Sequence, residues 1–306
     1  MRKQDYQRLI EICSVERATA PYTVRNIVPP KDFQSVTLSY NQYSTLDEKL
    51  LEQIKLEWDK QVEQAKKEGR KMFSRPLMMY NGRKVNYDGN GKAVVKLDLG
   101  ETSFSEHTLA HKINPYKAAW SFGPNSFILL EDDEQKRYVL FGDRAKAVAH
   151  TDQAIEREFF PKGYFYTDKM GDFVKGKEVE FGQIGCYLDY SFEEDNTILE
   201  KLVRSQLSDQ TNFTREIINE AKIEQLGAFL ISPPHFDSSA SHVINVKVPC
   251  KAKDFGQFHK GTKYTSSSLV RLEDITGFVE SEGDNLMPIS RLLLYQYAVR
   301  HPEIVE

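Results

Sequence analysis

The side chains best suited to chemistry stand at the end of one helical pattern, in the stretch LVRSQLSDQTNF at residues 202–213. The apolar face of this helix is defined by Leu199, Leu202 and Val203. Gln206 and Gln210 continue that face at helical period, and Asp209 stands at its edge. Two amides and a carboxylate on a buried face need partners, because an unpaired buried polar group costs about 1–3 kcal/mol. This stretch is therefore the first candidate for a binding or catalytic site.

Two explanations of these polar side chains stay open from the residues alone. The helix is predicted to begin with a capping box of Thr197 and Glu200. If the helix ends near Ser208, the amides cap it or lie in water. If it continues, they face a cleft. The acidic run at residues 193–195 is typical of charges that complement the dipole at a helix start.

The rest of the chain offers few alternatives for catalysis. His107 and His111 in EHTLAH have the spacing of a zinc-binding helix, but the Glu precedes the first His, so we predict a pair of surface histidines. The chain contains neither a phosphate loop of the type G-x-x-x-x-G-K nor a G-x-S-x-G nucleophile elbow. The aromatic residues 164–166 are suited to stacking on a base or a sugar, although their alternation is also typical of a half-buried strand.

Composition and charge exclude several classes of protein. The 306 residues are 40% hydrophobic and 28% charged, which suffices for a substantial core. A net charge of -4 gives no basic footprint for nucleic acid, and no apolar run reaches the length of a membrane span. The N-terminus has no apolar segment of a signal peptide. The three cysteines are widely separated, and we predict core thiols at Cys13, Cys186 and Cys250. We expect a soluble, cytoplasmic protein with no membrane partner and no nucleic-acid partner.

The first half of the chain is predicted to be a helix followed by antiparallel strands. The helix starts with a capping box at Thr45 and ends at Gly69. Turn signals at residues 81–82 and 88–91 then divide the apolar runs into a three-stranded meander. Residues 1–44 contain three prolines and are expected to be an irregular arm laid over the domain.

The second half is predicted to alternate strands and helices. SFILLEDDEQKRYVLFGD predicts a hairpin, the runs LGAFLIS, HVINVKVP and SSSLVRL predict strands, and a closing helix starts near Pro288. This order predicts an α+β fold. We expect a lobe of helix plus meander at residues 45–123 that is continuous with a main domain at residues 124–306.

The segment SQLSDQTNF, residues 205–213, resembles the end of the Nudix box, G-x5-E-x7-R-E-U-x-E-E-x-G-U, in which U is aliphatic. In this register Gln206 takes the place of the first Glu of the helix, while Asp209 and Gln210 take the places of the paired Glu. Four further positions depart from the box: Ser191 at its first Gly, Thr197 at its upstream Glu, Ser205 at its Arg and Asn212 at its last Gly. The resemblance therefore implies a degenerate box that has lost most of its acids.

Other segments resemble the divergent UDP-glucose pyrophosphatase branch of the Nudix superfamily. LDLGETSF, residues 97–104, matches the pattern L-x-L-G-x-T-S-aromatic of that branch, although a strand end followed by a capping box of Ser103 and Glu106 also explains it. Gly163 in FFPKGYF stands at the Pro-Gly-Gly strand end, of which the second Gly is absent. The resemblance covers residues 45–280 in pieces. It implies a Nudix-like α/β/α sandwich with mixed sheets and an N-terminal helix plus β-meander extension.

The resemblance also implies where a site lies. It places Asp209, Gln206 and Gln210 at the positions of the catalytic acids and leaves Asp209 as the one box acid that can bind a metal ion. Outside the box, Glu200 and the acidic run at residues 193–195 are further candidate metal ligands. Nudix enzymes use box carboxylates to hold Mg²⁺ or Mn²⁺ against a diphosphate, and neutral amides are poorer ligands for these cations. Mg²⁺ or Mn²⁺ is therefore expected only if the protein is active. The candidate substrate-binding residues are Thr102, Ser103, Phe104, Gly163 and Tyr164. We expect them to share one cleft with the box residues of the helix.

Three functions stay open. The first, which we favour, is a Nudix-like protein that binds a nucleotide or nucleotide sugar without the metal-dependent hydrolysis of the family. The second is an active hydrolase of nucleoside diphosphate-linked substrates, such as UDP-sugars, that uses carboxylates from outside the box. The third is a structural α+β protein that resembles the family by accident. One structural feature separates these functions. It is whether several carboxylates converge on the side of the helix that carries Gln206 and Gln210.

Overall fold

The computed structural model describes most of the chain, in ranges separated by gaps. The described residues are 1–14, 24–41, 46–69, 72, 74–144, 157–159, 191–195, 197–231, 237–254, 258–259 and 264–305, and for residues 41, 191–195 and 284 only the backbone is described. The helices are α1 (Lys3–Cys13), α2 (Glu48–Lys67), α3 (Phe104–Ile113), α4 (Thr197–Gln210), α5 (Arg215–Glu220), α6 (Ile275–Glu282) and α7 (Pro288–Arg300). The strands are β1 (Val24–Asn26), β2 (Phe33–Asn41), β3 (Pro76–Tyr87), β4 (Ala93–Ser103), β5 (Ser121–Phe122), β6 (Asn125–Glu131), β7 (Arg137–Arg144), β8 (Arg157–Phe159), β9 (Ser191–Asp195), β10 (Lys222–Ile231), β11 (Asp237–Lys247) and β12 (Tyr264–Arg271).

The strands form one mixed sheet. In the described part of the chain its order is β12-β7-β6-β11-β5-β3-β4-β2-β9, while β10 pairs with β11 and β1, and β8 pairs with β7. β11 runs parallel to β5 and β6, and β2 runs parallel to β4. The hairpins, such as those of β3 with β4 and of β10 with β11, are antiparallel. The mixed α+β architecture predicted from the sequence is confirmed.

The central strands bury both of their faces. Along β6, Phe127 and Leu129 pack into a cluster with α1, α6 and α7, whereas Ile128 and Leu130 pack into another cluster with α4. A strand imposes this alternation, because successive side chains point to opposite faces of the sheet. The sheet therefore lies between two helical layers, as expected for an α/β/α sandwich.

α4 lies between two parts of the sheet. Its first half packs against β2 and β4 as well as β10 and β11, and its second half packs against β6, β7 and the far end of β11. The apolar residues that it buries are Ile198, Leu199, Leu202, Val203 and Leu207. Thr197 is the first residue of the helix, so it is not the N-cap that the predicted capping box with Glu200 required.

The N-terminal segment differs from the predicted irregular arm. α1 buries Leu9 and Cys13 in the cluster beneath α7, and β2 pairs in parallel with β4. Pro29 and Pro30 lie in the short connection between β1 and β2, where a missing backbone N–H disturbs no ladder. These two prolines therefore interrupt only the connection between two elements, and Pro21 lies outside the described residues. Cys13 is a buried core thiol as predicted, Cys250 is half-buried, and Cys186 lies outside the described residues.

The start of α2 differs from the prediction, and its end agrees with it. The helix begins at Glu48, and the carboxylate of Asp47 caps it by accepting the backbone N–H of Leu50 at 3.0 Å. Thr45, the predicted cap, lies outside the described residues. Gly69 follows the helix with a φ of 69°, a conformation that glycine adopts without strain.

The predicted turn at Asn81-Gly82 is wrong. β3 runs through both residues and pairs with β4 along its whole length, with a bulge between Tyr80 and Gly82. The turn at residues 88–91 does join β3 to β4, so the three-stranded meander is instead one long hairpin. An Asn-Gly pair favours both turns and bulges, and the long partner strand decides between them here.

The second half of the chain contains the elements predicted for it. The β6–β7 hairpin, the strands β10 to β12 and the closing helix from Pro288 are all confirmed. α5 and α6 were not predicted, because helices of six and eight residues are too short to show a clear period. Within the described ranges, no helix has both the length and the apolar character needed to cross a bilayer.

A histidine between two carboxylates ties the end of α7 to the sheet. Nδ1 of His301 lies 2.8 Å from the carboxylate of Glu303, and Nε2 lies 3.2 Å from that of Glu224 in β10. The contact with the carboxylate of Glu224 raises the pKa of His301 above its ordinary value, and the same contact lowers the pKa of Glu224. The imidazolium form is therefore favoured in the folded protein.

We predict that the stability contribution of His301 is lost as the pH rises. A histidine whose folded pKa exceeds its unfolded value of about 6.5 contributes fully below the unfolded pKa, and this contribution disappears as the pH rises through the folded pKa. In urea unfolding between about pH 5.5 and pH 8.5, the free energy of unfolding should fall more steeply for the wild type than for His301→Gln. Parallel curves for the two proteins would contradict the assignment.

Candidate functional site

Gln206 lies on the buried side of α4. The helix continues to Gln210, and Gln206, four residues after the buried Leu202, is 9% exposed. The explanation in which the helix ends near Ser208 with both amides in water is therefore wrong. Gln210 follows one turn later and is half-buried, whereas Asp209 is exposed. The three box positions thus run from the interior of the protein to its surface.

The two candidate metal ligands of α4 lie on different sides of the helix. Arg204 binds the carboxylate of Glu200 at 2.7 Å and also donates to the carbonyl oxygens of Ile218 and Ala221 at the end of α5. Asp209 follows Glu200 by about two and a half helical turns, which places it on the opposite side. The structure therefore does not bring Glu200 and Asp209 together.

The end of α4 is held by the segment 258–259. Thr211 and His259 form an antiparallel bridge. The backbone N–H of Asn212 donates to the carbonyl of Phe258 at 2.9 Å, and its side-chain amide donates to the carbonyl of His259 at 2.9 Å. Asn212, which stands at the last Gly of the box pattern, thus fastens the helix end to a neighbouring segment.

A row of polar side chains crosses the sheet beneath α4. Gln225 of β10 pairs with His242 of β11, and His242 pairs with Ser126 of β6. Every second side chain of a strand faces the same side of the sheet. Ile128 and Ile244, two residues after Ser126 and His242, belong to the cluster that contains α4, so the row lies on the side that α4 covers. His242 and Ser126 are each 1% exposed. The row marks the boundary between the two apolar clusters beneath the helix.

A buried ion pair with a tyrosine lies at β7, β8 and β12 on the same side of the sheet. Glu158, which pairs with Gly142, is 1% exposed. Its carboxylate accepts from the hydroxyl of Tyr264 at 3.0 Å and from Nη1 of Arg144 at 3.3 Å. Burial, reinforced by the charge of Glu158, raises the pKa of Tyr264 well above its ordinary range. The tyrosine hydroxyl therefore stays protonated and remains a donor to Glu158.

His259 connects this ion pair with the end of α4. Its ring lies edge-on to the ring of Tyr264, with 6.3 Å between centroids, and burial lowers its pKa. Its backbone holds Thr211 and Asn212 as described above.

The candidate site is the region between the inward side of α4 and the polar row. It offers neutral amides, a hydroxyl, an imidazole and one ion pair whose two charges cancel.

The predicted substrate-binding turn at residues 102–104 belongs to the packing of the N-terminal lobe. Ser103 caps α3 in a capping box with Glu106, and the hydroxyl of Thr102 donates to the carboxylate of Glu106 at 2.8 Å. Phe104 packs edge-on against Trp58 of α2, with 6.1 Å between centroids. The predicted cleft between this turn and α4 stays a prediction. Gly163 and Tyr164 lie outside the described residues.

The prediction of surface histidines in EHTLAH is wrong for His107. Its side chain is 6% exposed, Nδ1 lies 2.8 Å from the carbonyl oxygen of Ala119, and Nε2 lies 3.5 Å from the carboxylate of Asp237. Ser121 also donates to Asp237. No local pattern in the sequence indicates that the start of β11 packs against α3 at this point. His107 therefore joins α3 to the sheet.

The buried polar residues of the sheet were missed by sequence reasoning. They interrupt apolar runs, as in NSFILL, REFF and SHVINV, but single polar residues in strands usually indicate a solvent-facing side. Strand pairing is needed to show that they line up on one covered side. The residues concerned are Ser126, Arg144, Glu158, His242 and Tyr264. In the described part of the chain, no three His, Cys, Asp or Glu side chains are grouped so that they could hold a metal ion.

No family model and no curated protein matches the chain. Among solved structures, it is similar to the MutT protein of Methanosarcina mazei Go1, with 12% identity and a TM-score of 0.34 over 60% of this chain and 94% of that chain. A Nudix hydrolase of Alicyclobacillus acidocaldarius gives 10% identity and a TM-score of 0.38 over 60% of this chain and 93% of the other. The Nudix domain of Shewanella oneidensis NrtR, solved with ADP ribose, gives 14% identity and a TM-score of 0.34 over 62% and 96%. Values this low do not identify the family of the chain.

Removing Arg144 is predicted to be costly. Arg144→Leu leaves the buried carboxylate of Glu158 without its counter-ion, and breaking one side of a buried pair typically costs about 3–5 kcal/mol. Urea unfolding should show this loss, with a smaller loss for Tyr264→Phe, which removes one hydrogen bond to the same carboxylate.

The exposed pair of Lys60 and Glu57 provides the control for this prediction. Its side chains are 74% and 42% exposed, so Glu57→Gln should change the free energy of unfolding by less than about 1 kcal/mol. If Arg144→Leu cost no more than this control, Glu158 would not depend on Arg144.

Proposed function

We propose that the protein is a Nudix-like module that binds a nucleotide or nucleotide sugar along the inward side of α4, without the metal-dependent hydrolysis of Nudix enzymes. The placement of Gln206 carries this proposal. It is a buried amide at the position where the box has a metal-binding Glu. Because a neutral amide both donates and accepts hydrogen bonds, it suits the base and sugar groups of a nucleotide.

The donor set of α4 does not fit Mg²⁺ or Mn²⁺. These hard cations are held by carboxylate oxygens, and each lost carboxylate removes both a ligand and a negative charge. Along the inward side, Gln206 and Gln210 are amides, and Asp209 is exposed at the edge. Glu200 is held by Arg204 on the opposite side. We therefore expect metal affinity at this helix to be too low for ordinary turnover.

A hydrolase is the second candidate, because Glu158 supplies a carboxylate on the side of the sheet that α4 covers. That carboxylate already accepts hydrogen bonds from Tyr264 and Arg144. To bind a metal ion it has to give up at least one of these partners inside the protein, where an unpaired charge is costly. Binding without hydrolysis is therefore the better-supported function.

We predict that a nucleotide sugar stabilises the protein in the absence of divalent metal. UDP-glucose and ADP-ribose, tested by thermal shift in EDTA, should raise the melting temperature, because a ligand that binds the folded state stabilises it by mass action. Gln210→Leu should weaken binding about tenfold, since one hydrogen bond is worth about 1–1.5 kcal/mol. Glu200→Gln, on the other side of the same helix, is the matched control and should bind like the wild type.

The same proteins should then be tested for turnover of both ligands with Mg²⁺ and Mn²⁺. Metal-dependent hydrolysis that Asp209→Ala abolishes would overturn the proposal in favour of the hydrolase. Stabilisation without turnover supports the binding function. The absence of any ligand effect, with or without metal, contradicts both functions.

A further inference from the structure

Two neighbouring side chains beneath α4 have unused hydrogen-bonding capacity. Among the residues that the structure describes, neither ring nitrogen of His242 nor the hydroxyl of Ser126 has a hydrogen-bond partner. Both residues are 1% exposed and they pair directly across β11 and β6. More than about 90% of buried polar groups in proteins are paired, so two adjacent exceptions in the centre of a sheet call for an explanation.

The third member of the row is already occupied. Oε1 of Gln225 accepts the backbone N–H of Val36 at 2.6 Å, which links β10 to β2. Gln225 therefore has a structural partner, although it stands directly beside His242. Within this row, the unused capacity is confined to His242 and Ser126.

The chemistry of the pair selects an uncharged partner. Burial lowers the pKa of His242 to about 3, so the ring is neutral at pH 7 and presents one N–H donor and one lone pair. Ser126 likewise both donates and accepts. Among the described residues on this side of the sheet, the charge of Arg144 is neutralised by Glu158, which leaves little attraction for a phosphate. A hydroxyl group, which also donates and accepts, complements both side chains.

We propose that His242 and Ser126 form a binding position for a hydroxyl-bearing, uncharged part of the ligand, such as the ribose or hexose of a nucleotide sugar. The proposal rests on the proposed function and adds which part of the ligand lies deepest. The row lies at the boundary between the two apolar clusters, and α4 crosses that boundary between Leu202 and Val203. The sugar is thereby placed beneath the middle of the helix.

Burial of the pair has a kinetic consequence. A ligand reaches His242 only if side chains of α4 above it move aside. Such a conformational change lowers the association rate constant, which is about 10⁵–10⁷ M⁻¹s⁻¹ for the docking of two preformed protein surfaces. A stopped-flow measurement with UDP-glucose or ADP-ribose should give an association rate constant below about 10⁵ M⁻¹s⁻¹.

The decisive variant is His242→Leu, which roughly conserves volume and removes both unpaired nitrogens. Without ligand, its melting temperature should rise by about 2–4 °C, because an unpaired buried polar group is lost. Its affinity for UDP-glucose or ADP-ribose should fall at least about tenfold, the equivalent of one hydrogen bond. Greater stability together with weaker binding is not expected of a residue with a purely structural role. His242→Gln, which keeps a donor and an acceptor, should retain most of the affinity.

The matched control is His107→Leu, another buried histidine in the same protein. His107 has partners in Ala119 and Asp237, so its replacement should lower the melting temperature and leave the affinity unchanged. If His242→Leu behaves like this control, His242 has a structural role and the proposal fails. If the wild type and His242→Leu bind the nucleotide sugar equally well, only the sugar position is overturned. If the wild type binds neither ligand, the proposed function fails together with this inference.

Discussion

The burial of α4 between two parts of one sheet is the constraint on which the rest of the structure depends. The helix packs its first half against the strands of the N-terminal lobe and its second half against the central strands. Each fully buried leucine or valine of this kind contributes about 1.5–3 kcal/mol. Because its apolar residues occupy both flanks of the buried side, the direction of Gln206 is set by the same packing that holds the sheet together.

The sheet beneath α4 carries a polar row inside an apolar core, and this combination makes the region the candidate site. Where a partner within the chain exists, the polar groups are used structurally, as in the bond from Val36 to Gln225 and the ion pair of Arg144 with Glu158. Where none is described, at His242 and Ser126, the groups cost stability. Proteins tolerate such a cost chiefly at functional positions.

The middle and the C-terminal end of α4 are tied to different neighbours, which makes the helix a rigid wall of the candidate site. On the outer side, Arg204 joins the helix to the end of α5 through the carbonyls of Ile218 and Ala221. At the C-terminal end, Asn212 joins it to the segment 258–259. These bonds use backbone carbonyls, so they depend on the path of the chain and little on the side chains around it. A binding surface built on a rigid element keeps its geometry better than one built on a loop.

The sequence by itself determined the elements and the direction of the box residues. Period alone placed Gln206 and Gln210 on the inward side of α4, the capping box of Ser103 and Glu106 marked the start of α3, and Pro288 marked the start of α7. These are local properties, because capping and periodicity involve residues a few positions apart. Only the tertiary structure decided that Asn81-Gly82 forms a bulge within a strand and that Arg204 fastens α4 to the end of α5. It also aligned His242, Ser126 and Glu158, which come from strands far apart in the chain, on the one side of the sheet that α4 covers. Strand pairing brings such residues together, and no short stretch of sequence contains that information.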